Sequence, residues 1–335
     1  MTTTTQPSHY GGAARPAPQA APGDQPGCDE QDRVARAALT WLAEPADPQL
    51  GELLAECTPQ ATVAAIQAGV LPPQYEPVSG ADRSAMDRAL ARWRLRLPDL
   101  PAGDKITAAC RSGGVRLVCP GDPQWPARLD DLGTARPYAL WVRGTADLRL
   151  CTGQSVTVAG SRAATGYGSH VAGFIAGDLA GDGWTTIASE AYGIDAAAHR
   201  GALVSGGRAV AVLAGGLDRP CPAGHASLLD QIAGSGLVVS EWPPGTRPTR
   251  LRFCTRGRIL AALSDATVII EAGSRSGALT VARYAAELGR PLLAVPGPVT
   301  SAQSEGCHLL IRSRGATLVT SHREIIAAAR PGSPS

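Results

Sequence analysis

The sequence predicts an α/β protein. An extended Rossmann-like, doubly wound, mostly parallel sheet is expected over about residues 110–330, preceded by a small all-helical domain over 28–100. Three observations carry this. From Gln154 onward short apolar runs alternate with helix-length segments; the runs are apolar at every position rather than every second one; and residues 29–95 repeat at three- and four-residue steps. Strands that are apolar throughout belong to a sheet covered on both faces, and helices spaced between them make it parallel.

Residues 1–27 are Thr, Pro, Ala, Gly and Gln with almost no apolar anchors, so a disordered tail is expected. Val34, Ala38, Trp41 and Leu42 then mark a helical face that Leu50, Leu53 and Leu54 continue. Thr58-Pro59 is a cap and first-turn pair that opens a helix through Ile66, and Gly69 closes it. A third helix is expected over 82–95, completing a SAM-like or helix-hairpin-helix-like module. Next come strand-like segments at 115–119 and 139–142, the first followed by the turn Pro120-Gly121-Asp122-Pro123. Seven further strands are expected at 155–159, 185–188, 209–213, 237–240, 266–270, 292–295 and 317–319. Helices fit between and after them at 167–180, 195–203, 226–233, 256–263, 277–288 and 307–314.

Composition excludes several classes. The apolar share of 44% supplies a sizeable core. The longest apolar runs, such as 209–214, fall far short of the ~18 residues of a membrane span. Met1-Thr-Thr-Thr-Thr lacks the basic-then-apolar layout of a secretory signal, so a cytoplasmic protein is expected. The eight cysteines include no CxxC pair; reduced thiols are expected, with no metal and no cofactor. Net charge is only +2, but it is unevenly placed: residues 28–60 hold seven acids against two arginines, and residues 242–335 hold twelve arginines against five acids. That asymmetry points the second half toward an anion. Lys105 is the single lysine among 31 basic residues, a bias that GC-rich coding explains.

Four loops carry what chemistry the sequence offers. Gly160-Ser161-Arg162, with Thr165 and Gly168, follows a strand and opens a helix, where free backbone N–H groups and a forked guanidinium suit an anion. The same glycines serve equally well as a plain tight turn. It is not G-x-G-x-x-G, and G-x-x-x-x-G-K-[ST] is absent throughout, so dinucleotide and P-loop nucleotide binding gain no support. Asp195 and His199 lie one helical turn apart; a proton relay lacks a nucleophile beside it, and Asp195 as a helix cap with His199 bonded locally is the plainer reading. In the third loop five arginines (247, 250, 252, 256, 258) surround Phe253 with no acid between Glu241 and Asp265. Cations around an aromatic suit a strand of nucleotides, phosphates on arginine and a base on the ring; the alternative is a plain solvated loop in an arginine-rich chain. The fourth, Glu271 through Ser276, Gly277 and Thr280, turns a strand into a helix; Glu271 is the best candidate for a catalytic carboxylate if the chain has one, and serves equally well as the cap of a neighbouring turn.

With these loops in this order the chain resembles the bacterial DNA-processing protein A (Smf) family, from Gly121 to about Ser321. The resemblance rests on Asp122-Pro-Gln-Trp-Pro126, Gly160-Ser161-Arg162, Gly193-Ile194-Asp195 with His199, Gly216-Leu217-Asp218, Ser240-Glu241 and Pro244-Gly245-Thr246. It continues through Phe253, Arg256 and Arg258, Glu271-Ala272, Ser276-Gly277 with Leu279-Thr280, and Gly297. It implies a homodimeric, non-enzymatic protein that binds single-stranded DNA and helps load RecA recombinase during natural transformation. It further implies DNA contacts from Gly160, Ser161, Arg162, Thr165, Phe253, Arg256, Arg258, Ser276, Gly277 and Thr280. The chain departs from the family pattern at Ser189-Glu190-Ala191-Tyr192, where an arginine is missing and an acid is gained, and at Gly257, where the family has Asn. No C-terminal winged-helix domain is expected within these residues. The alternative is a nucleotide phosphoribohydrolase of the lysine-decarboxylase-like group, which has a related sheet; Glu271 would then act on a nucleoside monophosphate. A regulatory nucleotide-sensing module is a third reading.

Overall fold

The computed structural model describes residues 27–330, apart from 104, 107 and 109–113. The disordered tail expected over 1–27 falls, Gly27 aside, outside the described residues, as does Cys110. The seven described cysteines are free thiols.

Four helices come first, each opened by a side chain that accepts a backbone N–H the helix itself leaves unpaired. These are α1 (Glu30–Leu42) behind Asp29, α2 (Pro48–Glu56) behind Asp47, α3 (Pro59–Ala68) behind Thr58 and α4 (Gly80–Arg94) behind Ser79. Their facing sides bury Leu39, Leu42, Leu50, Leu53, Ile66, Met86, Leu90 and Trp93 in one cluster. The other side of α1 is not free: Ala37 and Ala38 pack with Trp141 and Ala211 against the sheet.

The sheet has nine strands: β1 (Val115–Val118), β2 (Leu140–Arg143), β3 (Ser155–Ala159), β4 (Thr185–Ser189), β5 (Ala209–Leu213), β6 (Leu237–Ser240), β7 (Ala266–Ile269), β8 (Leu292–Ala294) and β9 (Thr317–Leu318). Their spatial order is β1-β2-β6-β5-β4-β3-β7-β8-β9. The β1–β2 and β2–β6 pairs are antiparallel, and every other pair is parallel. Helices α5 (Leu148–Thr152), α6 (Gly166–Gly181), α7 (Ile194–Val204), α8 (Ala226–Ser235), α9 (Arg250–Leu263), α10 (Ala278–Glu287), α11 (Glu305–Ser313) and α12 (His322–Ala329) follow in turn. One face of the sheet is covered by α6 and α7 through Ala172, Ile175, Leu179, Ala198 and Ala202. The other packs on α9 and α10 through Ile259, Leu260, Leu263, Val281 and Ala285.

The parallel part starts at β3, winds outward to β6, and returns on the other side of β3 with β7. Loops leaving β3 and β7 therefore open side by side, at the switch point where open α/β sheets hold ligands. One expectation is corrected here. The helix expected over 256–263 starts at Arg250, with Thr249 capping the N–H of Arg252. Phe253, expected on the loop ahead of that helix, thus stands on the same helix as Arg256 and Arg258.

The two halves are joined through Glu44, just past α1. It accepts hydrogen bonds from Arg96 (2.8 Å), from the Trp242 indole (3.3 Å) and twice from Arg252 of α9 (3.0 and 2.5 Å). Burial pushes the Glu44 carboxyl up, but the bonds from Arg252 and Arg96 outweigh it and hold it at about 2.

Candidate functional site

The Gly160-Ser161-Arg162 loop leaves β3 and is shaped from two sides. On one, Glu271 accepts the Thr165 N–H at 2.9 Å and the Thr165 hydroxyl at 2.6 Å, while Thr165 caps the Gly168 N–H at 3.1 Å. A Cβ at Gly168 would stand 2.1 Å from Glu271 Oε2, so only glycine lets the carboxylate in. On the other, Asp195 accepts the N–H groups of Gly160 (3.3 Å) and Ser189 (3.1 Å) together with the Ser189 hydroxyl. Gly193 (φ 77°, ψ −127°) brings the two loops together in a conformation that only glycine adopts freely.

Asp195 is therefore not the helix cap expected. The N-cap is Gly193, and Asp195 lies in the first turn of α7 as a tie between the β3 and β4 loops. His199 is bonded locally, as the plainer reading held: Nε2 donates to the Ser189 carbonyl at 3.0 Å. Burial lowers it to about 4, so it is neutral at pH 7. Among the described residues Asp195 and His199 share no hydrogen bond, and the relay has no geometry.

These loops, the turn after β7 and the first half of α9 surround an open cavity of about 870 Å³. Gly160, Ser161 and Arg162 form one wall, Phe253 and Arg256 a second, and Ser276, Gly277 and Thr280 a third. The Arg162 guanidinium lies 4.4 Å from the Phe253 ring centroid and that of Arg256 lies 5.8 Å from it, cations against an aromatic ring. Eight of the ten site residues named from sequence are thus brought together.

Thr165 and Arg258 are not. Thr165 sits one layer behind the wall, holding Glu271. Arg258 faces elsewhere because helix residues step by about 100°: from Phe253, Arg256 falls roughly 60° away and Arg258 roughly 140°. The Arg258 side chain is 2% exposed, gripped by Glu241 at 2.6 and 2.5 Å and by the Ala135 carbonyl at 2.9 Å. Arg256 is 7% exposed; its Nη1 meets the Glu190 carboxylate and the Val212 carbonyl (3.1 Å). Arg252 is the clamp to Glu44. Three of the five clustered arginines are therefore answered by acids, Arg252 and Arg256 by ones far along the chain and Arg258 by Glu241 at the edge of the same segment.

Two exposed cations in the cavity wall, Arg250 and Arg275, were not among the predicted contacts. Along with Arg162 they form no ion pair among the described residues. Both stand inside segments the sequence had marked, Arg250 in the arginine-rich run and Arg275 in the Gly/Ser turn. Glu271, the carboxylate of the phosphoribohydrolase alternative, has both oxygens on Thr165 and lies outside the cavity wall. Among the described residues no group of three His, Cys, Asp or Glu is placed to hold a metal ion, and no helix is long and apolar enough to cross a membrane.

Comparison with known proteins places this geometry in a family. The family model described as DNA recombination-mediator protein A matches residues 116–330. A putative DNA processing protein DprA of Mycobacterium tuberculosis H37Rv is 43% identical over 308 residues, covering 88% of this chain and 75% of that one. The X-ray structure of DNA processing protein A from Streptococcus pneumoniae superposes with a TM-score of 0.69 at 27% identity, covering 89% of this chain and 98% of that one. A Helicobacter pylori DNA processing protein A, solved for its single-stranded DNA binding mode, gives a TM-score of 0.55 at 26% identity over 60% of this chain and 91% of that one. From the family match, which runs from β1 to the end of α12, and from relatives alike in sequence and in fold, the chain belongs to the DNA recombination-mediator protein A family.

Proposed function

We propose that this chain binds single-stranded DNA in the cavity between the β3 loop, α9 and the N-terminus of α10, as a mediator of recombination. The observation that carries the reading is Arg162 stacked on Phe253 at the mouth of that cavity. Exposed Arg162, Arg250 and Arg275 offer guanidiniums to phosphates, and the Phe253 ring offers a face to a base. Such a site is tolerant of sequence, because every base has a face and every nucleotide a phosphate. Protection of incoming strands, delivery to RecA recombinase in natural transformation and action as a cytoplasmic homodimer belong to the same proposal.

The test is fluorescence anisotropy of labelled oligo-dT across a salt series. Arg162→Ala is expected to flatten the log K against log [salt] slope by about 0.7, one phosphate's worth on a single strand. Phe253→Ala is expected to cost about 1–3 kcal/mol and leave that slope unchanged. Affinity unaltered by both substitutions removes this cavity from consideration as the binding site.

A further inference from the structure

Among the cavity's arginines, Arg256 alone is answered by an acid among the described residues. Glu190, the first residue after β4, is 2% exposed. One oxygen accepts from Arg256 Nη1 and the other from the Ala214 N–H at 3.1 Å. Its own carbonyl is held by His225 Nδ1 at 2.8 Å, and the His225 ring packs edge-on against Tyr192 with centroids 4.4 Å apart. The backbone of Glu190 is thus anchored by His225, and the Ala214 N–H holds its carboxylate toward the arginine. Arg256 Nη1 is committed inward to Glu190 and Val212, yet its Nε is buried with no hydrogen-bond partner among the described residues, on a side chain that lines the cavity.

We propose that Glu190 is the resident counter-charge of Arg256, a positioning residue that sets how the cavity attracts a strand. It fixes the direction in which the guanidinium offers its free edge, and it cancels that guanidinium's charge. A bound strand thus gains a donor at Arg256 but no net attraction there, and the electrostatic pull comes from Arg162, Arg250 and Arg275. The inference rests on the single-strand reading above. Stability alone is a weak reason for such a pair, since desolvation offsets most of the gain from burying two charges. Its effect on an anionic ligand is larger: one unit charge at contact distance changes affinity about fivefold even at water-like screening.

Salt-dependent anisotropy with oligo-dT separates the cases, using wild type, Glu190→Gln, Arg256→Gln and the double variant, with melting curves for each. Glu190→Gln is expected to bind at least about fivefold tighter at low salt, with a slope steeper by about 0.7. Arg256→Gln is expected to flatten the slope by a similar amount, and the double variant to return it to the wild-type value. The double variant leaves no charge buried, so its slope decides the matter even where a single variant fails to fold. A double-variant slope about 0.7 below wild type, or a Glu190→Gln slope equal to wild type, overturns the inference: Arg256 then counts as a full phosphate contact and Glu190 as nothing. Wild-type protein that fails to bind oligo-dT at any salt sinks the single-strand reading instead, and this inference with it.

Discussion

Replacing Glu44 by Gln cuts the main polar tie between the helical segment and α9. The carboxyl is held at about 2, against 4.5 for an ordinary glutamate. At about 1.4 kcal/mol per unit that difference corresponds to roughly 3 kcal/mol of linkage. Solvent still reaches 34% of the side chain, and screening at that exposure reduces the figure to about 1.5 kcal/mol. For a chain of 335 residues, with an unfolding entropy of about 0.7 kcal/mol/K, the loss is about 2 °C in Tm. Because the native carboxyl is more acidic than the unfolded one, the stabilisation is complete above about pH 4.5 and is lost as pH falls toward 2. Thermal melts of wild type and Glu44→Gln at pH 7, 5, 4 and 3 are therefore expected to show a gap that is full at the first two and shrinks at the last two. A gap that is absent at pH 7, or that stays constant down to pH 3, refutes the clamp.

Arg258→Ala is expected to destabilise by about 3–5 kcal/mol by stranding the Glu241 carboxylate, whereas Arg258→Met with Glu241→Leu recovers most of the loss and leaves the salt slope of oligo-dT binding unchanged; urea melts and anisotropy check the two halves. His199 is buried neutral, so unfolding takes up a proton as pH drops from 6.5 to about 4, and stability falls by about 3 kcal/mol over that window. His199→Gln removes this term, and parallel stability–pH curves for the two proteins would contradict the assignment. Gly168→Ala drives a Cβ into the pinned Glu271 carboxylate and is expected to cost about 1–3 kcal/mol and to weaken oligo-dT binding. Gly166→Ala, whose Cβ meets nothing within 4 Å, serves as its control in both assays.

The inner strands were legible because they are apolar or small on both faces, a pattern that burial on both faces imposes; the exposed edge strand β9 is the exception. Helix α9 was not. Its first half is arginine-rich along the cavity and its second half, Ile259–Leu263, is buried on all sides, so no amphipathic stripe marks the whole. Pro248-Thr249 ahead of it was the available start signal. The error in Arg258 came from treating 256 and 258 as one contact surface, although two residues apart on a helix they point about 160° from each other. Of the acids that answer these arginines, Glu190 and Glu44 lie 66 and 208 positions away, where a count of local charge cannot see them, while Glu241 stands at the edge of the same segment, 17 positions from Arg258. The Gly/Ser turns, by contrast, were found from sequence alone, because backbone donors at the start of a helix follow from chain geometry whatever the side chains do.

Thr165 and Glu271 are 106 positions apart, and the loop that Asp195 ties on one side has nothing holding it on the other until Glu271 arrives. At ~5–20 residues per second, a ribosome that has released the first loop needs roughly 5–20 s to deliver the second. Throughout that interval the emerging polypeptide carries a Gly-Ser-Arg elbow without its brace. Competence to grip a strand is thus acquired late in translation, and a product truncated before α10 would be inert rather than a half-strength competitor.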